Sequence, residues 1–264
     1  MPTPATGGEP ANYFARLSAL TRSSSAPLLR PVSHPQSIEA ARKLRRHALL
    51  LTALGAVAVV ALMFGFDARE ISLMPPRGAP GLWPVRILTD FGKAAIVLWS
   101  VAGLVLVVAL VAPRLRGNSR SRLLRFGTEL QFIFLAVLLP ILAGELIKWV
   151  VGRGRPFVGG EANAFNFSHF AATQAYASFP SAHAITAAAL AFAVSAVWPR
   201  ARGVMIVYAL LIIASRLVLL AHHPSDVTAG AVIGVIGAMV VRYWFAARRL
   251  EFGIAQDGAI TPPI

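Results

Sequence analysis

Three short stretches of this chain carry polar side chains that their surroundings would otherwise exclude. They are KWVVGRGRP (148–156), FPSAH (179–183) and SRLVLLAHHPSD (215–226). In the last, Leu217, Val218, Leu219, Leu220 and Ala221 read as the interior of a membrane helix. Yet Arg216 precedes them, and His222, His223 and Asp226 follow. An arginine beside so much apolar surface is costly unless its charge has a task. Lys148, Arg155 and Arg216 held at one place repel one another, so an anion must join them for part of a working cycle. A phosphoryl group, with several charged oxygens on one centre, suits them. Ser181 adds a hydroxyl at the start of an apolar helix, where free N–H groups and the helix dipole also favour an anion.

The histidines supply what cations cannot. A neutral imidazole attacks phosphorus, and a second protonates the departing oxygen. Asp226, four residues after His222, is placed to fix its tautomer and to stabilise the positive charge that develops. Pro224 lies between them and suits a first-turn position, so the three do not share a regular helix interior. Arg216 precedes His222 by six residues, roughly 9 Å of helix, a depth from which its side chain reaches the interface.

These residues need elements that deliver them to one place. The chain has 264 residues, 56% hydrophobic and only 14% charged, with a mean hydropathy of +0.66. Its apolar residues come in blocks rather than at amphipathic spacing, which points to a polytopic all-α membrane protein. Six blocks qualify as spans: 48–66, 94–112, 127–147, 183–198, 203–221 and 227–245. Pro140 is expected to kink the third. The fourth is short and Ala-rich, as for an interior helix. Gly230, Gly234 and Gly237 in the sixth allow close helix approach and are read as packing residues. Residues 1–36 are read as a mostly disordered basic segment, 37–249 as the membrane domain and 250–264 as a tail. Within the first segment Tyr13, Phe14, Leu17 and Leu20 have helical spacing, as for a short helix on the membrane surface. Residues 1–47 are too long and polar to read as a signal peptide. The prolines of 67–93 exclude one continuous helix there.

The net charge of +14 raises nucleic acid as a partner, but the basic residues sort by topology instead. With six spans, both termini lie on one side, and that side holds 17 of the 25 Lys and Arg residues. It should be cytoplasmic. The charge then matches anionic lipid headgroups, and no nucleic-acid partner is expected. The same topology delivers Lys148, Arg155, Ser181, His183, Arg216, His222 and Asp226 to the other, exterior or periplasmic, face of the cell membrane. The absence of Cys excludes thiolate chemistry. Competing structural readings pair Arg216 with a buried acid and Lys148 with Glu145. Arg153 reads as a solvated loop charge, His169 as a loop residue, and Trp83 and Trp149 as interfacial anchors.

The three motifs resemble those of the type-2 phosphatidic acid phosphatases, membrane lipid phosphate phosphatases. The family pattern is Lys, six residues, Arg-Pro; then Pro-Ser-Gly-His; then Ser-Arg, five residues, His, three residues, Asp. Here it reads Lys148 to Arg155–Pro156, Pro180–Ser181–Ala182–His183, and Ser215–Arg216 to His222 to Asp226. Ala182 in place of Gly is the one departure. Its N–H can still donate to phosphate unless the position demands positive φ. The resemblance implies a mechanism without metal or other cofactor. His222 is the nucleophile that becomes phosphohistidine, and His183 the acid and then base. Asp226 orients His222, while Lys148, Arg155, Ser181, Ala182 and Arg216 hold the phosphoryl oxygens. The implied substrate is a lipid phosphate or polyprenyl diphosphate. Transfer to another lipid, and anionic-lipid binding or transport without chemistry, are the competing functions.

Overall fold

In hydrocarbon every backbone polar group must be paired within its own segment, so the apolar blocks form helices. The computed structural model describes residues 12–156, 158–160 and 162–262. Its helices are α1 (Tyr13–Ser25), α2 (Ser37–Gly65), α3 (Asp67–Leu73), α4 (Trp83–Asp90), α5 (Ala94–Val111), α6 (Gly117–Val151), α7 (Ala182–Val197), α8 (Arg202–Val218) and α9 (Pro224–Ala247). Two two-residue strands, β1 (Gly253–Ile254) and β2 (Ile260–Thr261), form an antiparallel hairpin in the tail. Among the described residues five stretches are long and apolar enough to cross a membrane: Ser37–Gly65, Pro80–Arg114, Gly117–Val151, Pro199–Val218 and Pro224–Ala247. The chain is an all-α polytopic membrane protein.

The fourth expected span is α7, which has 16 residues, about 24 Å of helix. It is enclosed by α6, α8 and α9. Ala184, Ile185, Ala187, Ala189 and Ala193 are buried, as an interior Ala-rich helix requires. The outer helices show the inverse pattern. Val57 and Phe64 of α2, Trp99 of α5 and Val204 of α8 are exposed, as suits side chains whose solvent is lipid.

Glycines set the spacing around α7. A Cβ on Gly230 would lie 2.6 Å from the Ser181 carbonyl oxygen, and one on Gly234 would lie 2.5 Å from that of Ile185. The backbones of α7 and α9 therefore touch. Gly237 leaves room in the same way for the ring of Pro140 on α6, which remains one helix across the proline. The expected packing role of these glycines holds.

The helices extend beyond the apolar blocks. α2 begins at Ser37 rather than near 48, and α6 runs 35 residues, about 52 Å, against a hydrocarbon core of about 30 Å. The stretch 67–93 is broken as its prolines require, but it contains α3 and α4. α1 packs on α5, with the Tyr13 hydroxyl donating to the Leu110 carbonyl at 2.9 Å. Of the segment 1–36 read as mostly disordered, residues 1–11 lie outside the described residues, and α1 with a 3-10 helix at Ala26–Leu29 occupies much of the rest. At the far end Phe132, Phe245 and Phe252 form an edge-to-face cluster with ring centroids 5.4 and 4.8 Å apart.

Candidate active site

Three helix termini meet at one end of the bundle: the C-terminus of α6, the N-terminus of α7, and the junction of α8 with α9. Gly152 ends α6 in the left-handed region (φ 55°, ψ 48°), and its Cβ position lies 1.8 Å from the Ser168 carbonyl oxygen. Only glycine satisfies both conditions. The chain then folds back over the bundle end. The N–H of Ser168 donates to Gly152, that of Gly154 to Asn166, and that of Ser178 to Arg153. This fold-back places Arg155 and Ser178 beside the α7 and α9 termini. Ser181 caps α7, and its N–H donates to the Asp226 carbonyl at 3.1 Å, tying the two helix starts together.

Around that tie stand the predicted anion binders. Arg216 is buried, and its Nη1 donates to Thr89 Oγ1 of α4 at 2.7 Å. Arg155 is aimed by backbone carbonyls: Nε donates to Gln174 at 2.8 Å and Nη1 to Ala221 at 3.2 Å. Burial, and then the charge of Arg77, lower the Arg155 pKa from its usual value. Three buried atoms of the predicted set make no hydrogen bond with any described residue: Ser181 Oγ, His183 Nε2 and Arg216 Nε. Buried polar atoms are ordinarily paired, and these three belong to side chains expected to meet a phosphoryl group.

His222 follows α8 and is 3% exposed. Its Nδ1 lies 2.8 Å from the Ser178 carbonyl oxygen. A carbonyl only accepts, so Nδ1 carries the hydrogen and Nε2 keeps its lone pair. Burial, with the charges of Arg155 and Arg216, holds the His222 pKa well below the usual histidine value. The ring is therefore a neutral imidazole, the form in which it is a nucleophile.

Asp226 occupies the third position of α9, 3.9 Å from His222 Nδ1. Its direct bonds go elsewhere. Oδ2 accepts from the Ser178 hydroxyl at 2.5 Å and the His223 N–H at 2.9 Å, and Oδ1 accepts from Arg153 at 2.6 Å. Ser178 thus bridges the pair, with its hydroxyl on Asp226 and its carbonyl on His222.

Arg153 differs most from its sequence reading. It is 1% exposed and no loop charge. Nη1 donates to Asp226 and to Ser225 Oγ, both at 2.6 Å. Nη2 donates to Asp67 at 2.8 Å, and with Nε to the Ala164 carbonyl. All five N–H donors are used. Asp67, the first residue of α3, also accepts from the N–H and hydroxyl of Ser225. Glu70, one turn along α3, is fully buried beside this cluster. Burial, then the charges of Asp67 and Asp226, push its carboxyl up to about 8.

Lys148 forms an ion pair with Glu145, the bland alternative for that residue, and its side chain is 14% exposed. Its charge nevertheless reaches His183, as do those of Arg216, Lys93 and Arg155. Lys93 arrives through the α4–α5 corner, where a Cβ on Gly92 would stand 3.3 Å from His183 Cδ2. Every predicted site residue lies at this end of the bundle. Asp67, Thr89, Lys93, Ser178 and Ser225 join them without having been singled out, and Arg153 joins them against its reading as a loop charge. Arg153 had one available signal, its place two residues before Arg155 in a predicted anion loop. Asp67 had another, as a carboxylate directly after the first apolar block.

The profile of the PAP2 superfamily matches residues 129–250. The lipid A 1-phosphatase of Rhizobium johnstonii is 30% identical over 217 residues, 81% of this chain and 87% of that protein. The lipid A 1-phosphatase of Rhizobium etli is likewise 30% identical over 217 residues, 81% of this chain and 91% of that protein. No solved structure matches. With this kinship spanning most of the chain, and the motif residues gathered at one end of a helical membrane bundle, the protein belongs to the PAP2 superfamily.

Proposed function

We propose that the protein is a membrane lipid phosphate phosphatase that works through a phosphohistidine at His222. The observation that carries this reading is the convergence of His222, with a free Nε2 lone pair, and the unpartnered Ser181 Oγ, His183 Nε2 and Arg216 Nε. His222 Nε2 forms a bond to phosphorus as the bond to the leaving oxygen breaks, and His183 gives that oxygen a proton. The arriving phosphate dianion offsets the cations around His183, which favours the protonated imidazole that this step needs. In the second step His183 takes a proton from water, whose oxygen displaces His222. Arg155, Arg216, Ser181, Lys148 and the N–H of Ala182 stabilise the charge on the transferred group. Asp226 offsets the positive charge on His222, directly across 3.9 Å and through Ser178.

The activity named for the two Rhizobium relatives makes the 1-phosphate of lipid A the first substrate to test. The substrate's tails stay in the bilayer while its headgroup enters the cationic end of the bundle. By the charge asymmetry of the loops, that end faces away from the cytoplasm.

The test is phosphate release from lipid A and other lipid phosphates in detergent with a chelator present. Wild type should release phosphate. His222→Ala should lose about 10³-fold or more, and His183→Ala about 10²–10⁴-fold. Activity that requires added metal, or survives in His222→Ala, would refute the mechanism. Phosphorylated acceptor lipid in place of free phosphate would identify a transferase.

A further inference from the structure

At the opposite end of the bundle from His222, two cavities flank one arginine. Arg242 lies on α9 sixteen residues after Asp226, roughly 24 Å along the helix. One cavity, of about 420 Å³, opens between α2, α7, α9 and the tail hairpin; the other, of about 430 Å³, lies between α7, α8 and α9. Arg242 and Phe192 line both. Each has the size of a pocket for a small organic ligand.

Their chemistry is divided. Lys43, Arg46 and Arg242 line the first cavity and Arg202 and Arg242 the second, and among the described residues no acid lines either. Lys43 has a partner in Asp257, whose side chain is exposed on the hairpin, 2.9 Å away. Arg242 Nη2 donates to the Ile260 carbonyl at 3.0 Å, its guanidinium lies 5.2 Å from the Phe252 ring centroid, and its buried Nε meets no described acceptor. The charge of Arg202 bears on it. Two arginines so placed repel unless an anion lies between them. The second cavity is otherwise walled mainly by apolar residues, among them Ala191, Ile206, Ala209, Leu210 and Val235. Ile206 and Leu210 are 50% and 61% exposed on the lipid-facing side of α8, so this wall is continuous with the hydrocarbon.

We infer that this end of the bundle binds an anionic diacyl phospholipid from the leaflet opposite the candidate active site. Its phosphate lies between Arg202 and Arg242, and its chains enter the flanking cavities. A soluble anion would satisfy the arginines but leave the apolar walls unused; a zwitterionic lipid would fill the walls but carry a cation into a cationic mouth. The hairpin, whose Gly258 and Ile260 line the first cavity, closes over the headgroup.

The test uses the full chain in phosphatidylcholine nanodiscs with and without phosphatidylglycerol. Native mass spectrometry reads retained lipid, and hydrogen exchange reads the backbone of 253–261. Wild type should retain phosphatidylglycerol in preference to phosphatidylcholine, and phosphatidylglycerol should slow exchange in the hairpin. Arg202→Gln with Arg242→Gln should weaken that retention roughly 10- to 30-fold. Arg116→Gln with Arg122→Gln, which removes two exposed charges from the same face away from both cavities, should leave it unchanged. Equal losses in the two double variants would reduce the effect to general surface charge and overturn the inference. So would hairpin exchange in wild type that is indifferent to phosphatidylglycerol, a result that needs no variant to fold.

Discussion

Arg153 joins two carboxylates that lie far apart in sequence, one from each half of the chain. Removing one partner of a buried ion cluster leaves charge without compensation, at a cost of about 3–5 kcal/mol. Arg153→Met should lower stability by that amount in chemical denaturation. Arg153→Lys should not restore it, because one ammonium with three donors cannot reach all four acceptors that the planar guanidinium engages. Asp67→Asn is the finer probe, since it keeps the shape and acts on His222 only through Arg153 and Asp226. It should lower kcat about tenfold and leave KM nearly unchanged, because Asp67 touches no part of the substrate. That Lys148, Arg155, Ser181, His183, Arg216, His222 and Asp226 gather at one end of the bundle was legible from their types, their fixed spacings and the topology. Arg153, Asp67 and Ser178 were not, because their partners are set by the fold-back after Gly152 and by the packing of α3. Spacing within one motif carries no information on either. The 3.9 Å gap between His222 and Asp226 was hidden for a related reason. Four residues of separation suggests direct contact, and the Ser178 carbonyl takes the position instead.

At the scale of elements, α7 is held in register by glycines on its neighbour. Gly234→Val would drive a side chain against the Ile185 carbonyl, which cannot yield without shifting α7 and with it Ser181 and His183. Overpacking of this kind costs about 1–3 kcal/mol. The variant should insert into membranes at normal levels, unfold at lower temperature, and lose phosphate release out of proportion to the stability lost. Gly103 of α5, whose Cβ position is open, is the matched control, and Gly103→Val should change neither. The spans themselves were readable from apolar blocks, and α7 could be assigned to the interior because it was too short and too rich in alanine to face lipid. The helix ends were not readable. α2 and α6 continue past the hydrocarbon because backbone pairing persists where hydropathy stops, and α3 and α4 are short polar-ended helices with no apolar block to mark them.

For the whole molecule, the buried Glu70 links stability to pH. Its folded-state pKa of about 8 stands above the ordinary 4.5, so between those values the folded protein keeps a proton that the unfolded chain has lost. Glu70 therefore contributes its full stability below the lower value and loses it as pH rises toward the upper one. Between pH 6.5 and 8 the thermal midpoint of wild type should fall more steeply than that of Glu70→Gln, and the two curves should converge at pH 4.5. Parallel curves would place the Glu70 carboxylate in contact with a compensating charge.

The tie between Asp67 and Arg153 reaches beyond the span that the superfamily profile recognises. A protein trimmed to residues 129–250 would retain every motif histidine, lysine and arginine, and would still lack one of the two carboxylates that Arg153 joins behind His222. The first hundred residues are thus no mere anchor. They supply the acid that Arg153 faces, so exchanging the two parts with those of a relative should preserve activity only where an acid just after α2 travels together with that arginine.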